Sequence, residues 1–385
     1  MSSPAKLGVP RLGLYIHWPY CARICPYCDF NVFKDRKGDE PAALARAIVA
    51  DLEAQAAITG PRELASVFLG GGTPSLMDPV WAGEMIAAAR RLWTAAPDLE
   101  VTLEANPTDA EAARFAAFSD AGVNRLSLGL QSLDDAALTF LGRNHNAATA
   151  IRASQAASRA FPRLSIDMIY ARPGQTPAAW AEELETAVGL GAEHVSPYQL
   201  TIEAGTAFDR AVRRGQFTPP DADLGAELFD TTQRVLQAAG FDAYEVSNHA
   251  LGEAARSRHN LIYWQGDDYV GAGPGAHGRI TTGGARLATH AAAKPADYIA
   301  RVAETGVGYA TPEPLKPQEA AQERLLSGLR ITEGVPMADV SALAIPPEKI
   351  ADLIGLGLLA DDPQRLRATP AGRLVLDRLT AELAT

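Results

Sequence analysis

The sequence predicts an α/β fold, in which an open, partial (β/α)6 barrel precedes a small C-terminal helical or winged-helix-like domain. Short apolar runs alternate with alanine-rich helical stretches over the first half of the 385-residue chain, and this alternation is typical of βαβ units around a parallel sheet. Six strand-like runs are fewer than the eight that close a complete barrel. From about residue 295 the pattern becomes helical, which predicts a separate small domain.

The six runs have the length and apolar character of buried strands. They lie at residues 12–17, 65–69, 100–104, 125–130, 163–170 and 194–200. Helical patterns between them cover residues 41–57, 79–94, 109–120, 147–160 and 177–190. A polar stretch at 210–223 predicts a linker or long loop, and 223–239 predicts a helix. Near 358–369 the sequence indicates two short strands, so we expect a barrel domain over residues 1–290 and a second domain over 291–385.

Composition excludes several broad classes of function. The formal net charge of −11 argues against nucleic acid as the main partner, because phosphate backbones attract basic surfaces. No apolar run reaches the roughly 18 residues of a membrane-spanning helix, and residues 1–10 lack the apolar core of a secretory signal. We therefore expect a cytoplasmic protein with no membrane span.

All three cysteines of the chain, Cys21, Cys25 and Cys28, lie in one C-x3-C-x2-C loop after the first strand. An odd, clustered number of cysteines does not suit a disulfide framework. Three thiolates can hold three irons of a [4Fe–4S] cluster, which leaves the fourth iron open to a small ligand. The alternative is a zinc site completed by His17, which lies close in sequence.

The residues around the cysteines, 15–30, closely resemble the radical S-adenosylmethionine (SAM) superfamily. This resemblance implies that SAM chelates the open iron, and that Tyr27 occupies the aromatic position beside the cluster. Gly70-Gly-Gly-Thr-Pro74 follows the second strand, where consecutive glycines allow a sharp turn and close approach to a ligand. A plain tight turn is the alternative. The resemblance implies that Gly71, Gly72 and Thr73 contact the amino acid part of SAM.

Four polar residues lie at or near the ends of the later strands, and each also has a structural interpretation as a loop or buried polar group. They are Glu104, Gln131, Arg143 and Asp167. The phrases that contain them resemble the oxygen-independent coproporphyrinogen III oxidases. In that family the matching residues for cluster-bound SAM are Tyr15, Gly71 and Glu104. The residues that match a second SAM site are Tyr27, Gly72, Thr73, Gln131, Arg143 and Asp167.

Two departures from those oxidases make the chain more similar to the heme chaperone (HemW) branch. Phe30 stands where the oxidases have a fourth cysteine. The oxidases also carry a long N-terminal arm before the tyrosine of the motif, whereas only fourteen residues precede Tyr15 in this sequence. His259, Tyr263 and Trp264 match the H-N-x-x-Y-W pattern that is linked to heme handling in that branch. An imidazole can ligate iron, and the two aromatic rings offer flat apolar surface for a porphyrin.

The alternative for this segment is a strand edge with a hydrogen-bonded histidine and packed aromatic rings. The other histidines that lie in or near motifs remain rivals as iron ligands: His17, His145, His249 and His277. Arg256 and Arg258 precede His259 and could bind heme propionates or form a solvated face. A plain turn is the interpretation of the glycine-rich loop at 271–278 from its residues alone, whereas the resemblance implies that it borders the SAM or porphyrin pocket.

The resemblance implies a heme chaperone that carries a [4Fe–4S] cluster, SAM and heme. Its expected partners are heme as cargo, heme-accepting proteins such as respiratory ones, and an electron donor for the cluster. The alternative is a radical SAM oxidase that acts on coproporphyrinogen III or a related porphyrin. The sequence assigns no catalytic residue.

Overall fold

The computed structural model describes residues 9–35 and 40–384, and its strands and helices are numbered in chain order. The strands are β1 Arg11–Trp18, β2 Tyr20–Cys21, β3 Phe33–Lys34, β4 Glu63–Gly71, β5 Thr94–Ala105, β6 Arg125–Gln131, β7 Arg163–Tyr170, β8 His194–Gln199, β9 Asp242–Glu245, β10 Asn248–Ala250, β11 Asp268–Ala272, β12 His277–Thr282, β13 Ala285–His290, β14 Glu313–Pro314, β15 Val335–Pro336 and β16 Arg365–Leu366.

The α-helices are α1 Pro41–Thr59, α2 Pro79–Leu92, α3 Asp109–Ala112, α4 Phe115–Asp120, α5 Asp135–Phe140, α6 Ala147–Ala160, α7 Pro177–Val188, α8 Ala207–Arg213, α9 Ala222–Ala238, α10 Arg258–Gln265, α11 Pro295–Thr305, α12 Pro317–Gly328, α13 Pro347–Gly355, α14 Pro370–Leu374 and α15 Leu376–Ala384. Short 3-10 helices cover Pro74–Leu76, Glu253–Ala255 and Met337–Leu343.

The six predicted barrel strands are consecutive neighbours in one parallel sheet, in the order β1-β4-β5-β6-β7-β8. This confirms the partial (β/α)6 barrel. The sheet is wider than the sequence predicts, because β11 adds a parallel strand beside β1 and antiparallel strands extend both ends. Strand β6 is buried at every position except its last, as expected for a parallel sheet covered by helices on its outer face.

Four local features differ from the predicted elements. The second helix ends at Leu92, and residue Thr94 already begins β5. The predicted helix at 109–120 is divided into α3 and α4. Helix α8 extends into the predicted linker, and α5 was not predicted at all.

The C-terminal part has its own apolar core, in which Leu325, Leu329 and Val335 are fully buried. Strands β15 and β16 pair antiparallel beside helix α12, which confirms a small, mainly helical C-terminal domain. Helix α11 packs against α1 of the barrel, and the boundary at 290/291 stays a prediction. Among the described helices, none combines the length and apolarity needed to cross a bilayer.

Candidate functional site

The cysteine loop leaves the carboxyl end of β1 and is closed by the short parallel pair β2 and β3. Cys21 is buried, whereas Cys25 and Cys28 are partly exposed, and all three are free thiols. The Cys28 amide donates to the Cys25 carbonyl at 3.2 Å, which makes a turn within the motif. Burial raises the pKa of the Cys28 thiol to about 11, and a bound cation such as cluster iron would favour its thiolate form.

His17 does not complete a zinc site with these thiols. Its Nδ1 pairs with the Tyr15 hydroxyl at 2.9 Å, and its Nε2 pairs with the Asn31 carbonyl at 2.9 Å. Within residues 9–35 and 40–384, no three His, Cys, Asp or Glu side chains converge as ligands of one metal ion. A cubane cluster takes its thiolates on separate irons, so this loop suits the cluster better than mononuclear zinc.

The glycine motif at the end of β4 lies against the start of the cysteine loop. Gly71 has a φ of 110°, and a Cβ there would lie 2.6 Å from the His17 ring. Its amide donates to Glu104 Oε2 at 3.0 Å. A Cβ on Gly72 would lie 2.7 Å from the Tyr20 carbonyl oxygen. Both positions therefore require glycine. The hydrogen bond from the Gly71 amide to Glu104 joins the carboxyl ends of strands β4 and β5.

Arg143 connects the cysteine loop to the next strand ends. Its Nη1 lies 3.4 Å from the Cys25 sulfur and 3.4 Å from the Tyr27 hydroxyl. Its Nη2 donates to Asn106 Oδ1 and, at 3.1 Å, to the Gly129 carbonyl. Its buried Nε has no hydrogen-bond partner within the described part of the chain. The structure thus brings two residues of the predicted second SAM site, Tyr27 and Arg143, beside a cluster cysteine.

Three further residues of that predicted site face the same end of the barrel. Gln131 ends β6 with a φ of 65°, and its buried Oε1 has no partner among the described residues. Thr73 Oγ1 accepts from Asn106 Nδ2 at 3.2 Å, and Asp167 accepts from Ser127 Oγ at 2.8 Å. An unpartnered buried acceptor costs free energy unless a ligand satisfies it.

Glu104 and Asp167 form a pair of carboxylates that interact electrostatically at this end of the sheet. Burial away from water is the largest cause, and repulsion from Asp167 the next, of the rise in the pKa of Glu104 to about 8. Burial also raises the pKa of Asp167, although hydrogen bonds from Ser127 and other hydroxyls oppose the shift. A cationic ligand group here, such as the amino or sulfonium group of SAM, would favour the ionised carboxylates.

The raised pKa of Glu104 predicts a pH-dependent effect of Glu104→Gln on the ligand-free protein. Between the ordinary pKa of 4.5 and the folded value of about 8, the folded protein binds a proton that the unfolded chain releases. Wild-type stability therefore falls as the pH rises through this window. The variant lacks this loss, so we expect its free energy of unfolding to exceed that of wild type by on the order of 2–4 kcal/mol near pH 9.

Denaturant unfolding at about pH 5 and pH 9 measures the effect, and the difference between variant and wild type should shrink toward pH 5. Glu84→Gln, at an exposed position of α2, is the matched control and should show no such pH dependence. An equal difference at both pH values would contradict the assignment of a raised pKa to Glu104.

The H-N-x-x-Y-W segment forms helix α10 rather than the strand edge of the alternative interpretation. Ser257 caps the helix by accepting from the Asn260 amide. His259 is 1% exposed, and its two ring nitrogens pair with Ser66 Oγ at 2.8 Å and with the Tyr263 hydroxyl at 2.7 Å. His259 would have to lose a hydrogen bond and its burial to ligate iron, which disfavours it as an axial ligand. Its place among the heme-binding residues stays a prediction.

A cavity of about 710 Å³ opens beside these elements, within the roughly 300–1,000 Å³ typical of small-molecule sites. One wall carries Tyr15, Gly71 and Glu104, which are the residues predicted to hold cluster-bound SAM. Tyr263 and Trp264 of α10 line another part, and helix α12 of the C-terminal domain closes a third side. The cavity therefore brings together three residues predicted for SAM and the aromatic residues predicted for heme.

Comparison with known proteins agrees with this geometry. The radical SAM superfamily model matches residues 15–187, and the HemN C-terminal domain model matches residues 315–375. The heme chaperone HemW of Mycobacterium tuberculosis is 36% identical over 96% of this chain and 94% of that protein. The chain belongs to the HemW family of radical SAM proteins. Membership of the superfamily implies a [4Fe–4S] cluster and SAM.

Two other relatives cover nearly the whole chain. The mitochondrial radical S-adenosyl methionine domain-containing protein 1 of Bos taurus is 41% identical over 99% of this chain and 89% of that protein. The solved structure of the coproporphyrinogen III oxidase HemN from Escherichia coli has a TM-score of 0.82, with 20% identity over 98% of this chain and 91% of that one. At this low identity the HemN likeness shows a shared fold.

Of the two alternatives for Arg256 and Arg258, the structure favours the ion-paired face over contact with heme propionates. Arg256 pairs with Glu333 at 2.7 Å, and Arg258 pairs with Asp98 at 2.8 Å, and neither lines the cavity. The arginines that do are Arg279, Arg286 and Arg324. They come from the β12–β13 hairpin and from α12, and no motif marks them. The one sequence signal for the hairpin arginines is the alternation of polar and apolar residues, which indicates that one face of the hairpin is exposed to solvent.

Proposed function

We propose that this protein is a heme chaperone that binds heme in the cavity and passes it to acceptor hemoproteins. The observation that carries this proposal is a cavity with aromatic walls directly beside the SAM residues. Phe30, which replaces the fourth cysteine of the oxidases, is 62% exposed and lines it. With Tyr263 and Trp264 it offers the apolar area that a porphyrin ring needs. The name of the Mycobacterium tuberculosis relative, heme chaperone HemW, also supports this proposal.

The cluster and SAM would be held at the inner wall of the cavity. The three motif cysteines would bind the cluster, and Tyr15, Gly71 and Glu104 would orient cluster-bound SAM. The second SAM site would be lined by Tyr27, Gly72, Thr73, Gln131, Arg143 and Asp167. When bound, cluster and SAM supply one-electron chemistry. Glu104 would then accept a hydrogen bond or ion pair from the cationic end of SAM as well as from the Gly71 amide.

The proposal includes an electron donor for the cluster and heme-accepting proteins, respiratory ones among them. We assign the protein to the cytoplasm, because cysteines that form no disulfide and would hold an iron–sulfur cluster suit a reducing compartment. The second candidate function is a radical SAM oxidase of coproporphyrinogen III or a related porphyrin. The SAM residues around Arg143 favour it, since a simple heme carrier would not need them.

Titration of the cluster-reconstituted protein with heme separates the two functions. We expect about one heme per chain, as one cavity of this size admits one porphyrin. The same preparation, given SAM, reductant and coproporphyrinogen III, should produce neither decarboxylated porphyrinogen nor substrate-dependent 5′-deoxyadenosine. Turnover of that substrate without heme binding would refute the chaperone and establish the oxidase.

A further inference from the structure

The β12–β13 hairpin carries two stacked histidines on the wall of the cavity. His277 faces His290 across the antiparallel register, and the ring centroids are 4.0 Å apart with an angle of 11° between the ring planes. Both side chains are exposed and line the cavity. The first of them belongs to the glycine-rich loop that the sequence places near the pocket, whereas no motif marks the second.

These two imidazoles differ from the other histidines near the site in having free ring nitrogens. In the described part of the chain, neither His277 nor His290 hydrogen-bonds through its side chain to another protein group. His17 and His259 also lie at the cavity or behind it, but both ring nitrogens of each are engaged. His145 and His249 do not line the cavity.

The remaining walls provide the surface for a flat apolar ligand whose metal these imidazoles could reach. Phe30 extends from the cysteine loop, and Leu326 of α12 is 56% exposed at the cavity. Exposed large apolar side chains that face one cavity mark a ligand-binding surface. Arg286, on the same hairpin as His290, lines the cavity and is held in place by Asp268, which its Nη1 contacts at 3.2 Å. A guanidinium fixed in this way can also donate to a carboxylate group on the rim of the ligand.

We propose that the stacked pair His277–His290 supplies the imidazole that ligates the iron of heme in this cavity. The inference rests on the proposed heme-chaperone function. One ring nitrogen donates its lone pair to the iron, and no other bond is broken. A porphyrin fills the four equatorial positions of its iron, so two adjacent rings on one side can fill only one axial position. The second ring then holds the first by stacking. His259 keeps its hydrogen bonds.

Heme titration of wild type, His277→Ala, His290→Ala, their double variant and His259→Ala tests the pair, with absorption and electron paramagnetic resonance spectra of the ferric complex as readouts. His277 and His290 are exposed, so the hairpin variants should fold, and melting curves check this for every variant. His145→Ala, outside the cavity, is the matched control. The double variant should lose the histidine-ligated spectrum and bind heme at least about tenfold more weakly, since even indirect partners of metal ligands contribute roughly 10–100-fold.

Added free imidazole should restore the spectrum of the double variant, because the cavity itself remains. A double variant with the spectrum and affinity of wild type would overturn the inference while leaving the proposed function intact. A change of spectrum in His259→Ala alone, with the double variant unaffected, would overturn it in favour of His259. If wild type binds no heme, the proposed function and the inference both fail.

Discussion

Replacing Cys25 by serine is expected to abolish the iron–sulfur cluster. Only three cysteines are present in the chain, so no other thiol can replace the lost ligand of a cluster that already has one open iron. After anaerobic reconstitution, iron should fall from about four per chain to less than about a tenth of that amount. Iron and sulfide analysis, together with the visible absorption of the cluster, measures the change.

Ile24→Ser is the matched control for that prediction. Ile24 lies in the same loop, one residue before Cys25, and is 45% exposed, so the change alters polarity without removing a ligand. It should keep the full iron content, and melting of the iron-free proteins should show that both variants fold. A Cys25→Ser variant that retains four irons and sulfides would contradict the assignment of Cys25 as a ligand.

The barrel could be predicted from the sequence because its determinants are local. Strands of a parallel sheet are buried on both faces and appear as short apolar runs. Prolines at the first helical position fix the starts of α1, α2 and α7. The predicted end of the second helix, at residue 94, is wrong because the apolar residue Trp93 continues the helical pattern. In the structure α2 ends at Leu92 and the chain has already entered β5 at Thr94.

The candidate site could be predicted only where a motif carries it. The cysteines and the Gly71 turn are contiguous in sequence, so their proximity follows from one loop and one strand end. The interaction of Glu104 with Asp167 joins strands β5 and β7, which are separated by β6. Stacking of His277 on His290 depends on hairpin register. Such contacts depend on packing and register between distant segments, which hydrophobic patterns do not specify.

Heme in the cavity between the cysteine loop and α12 would compete for space with a larger side chain, and Ala320→Trp tests this by filling that space. Ala320 lines the cavity from α12, so an indole there should exclude part of a porphyrin. We expect heme affinity to fall at least about tenfold, equivalent to about 1.4 kcal/mol. Cluster content should be unchanged, because Ala320 lies on α12 and the three cysteines are not among the residues that line the cavity.

Gln318→Trp places the same side chain on the same helix at an exposed position that does not line the cavity, and it is the matched control. The decisive measurement is heme titration of both tryptophan variants beside wild type, with cluster content and melting temperature verified. We expect weak or absent heme binding for Ala320→Trp and wild-type binding for Gln318→Trp. Wild-type heme affinity in a folded Ala320→Trp variant would contradict the placement of heme in this cavity.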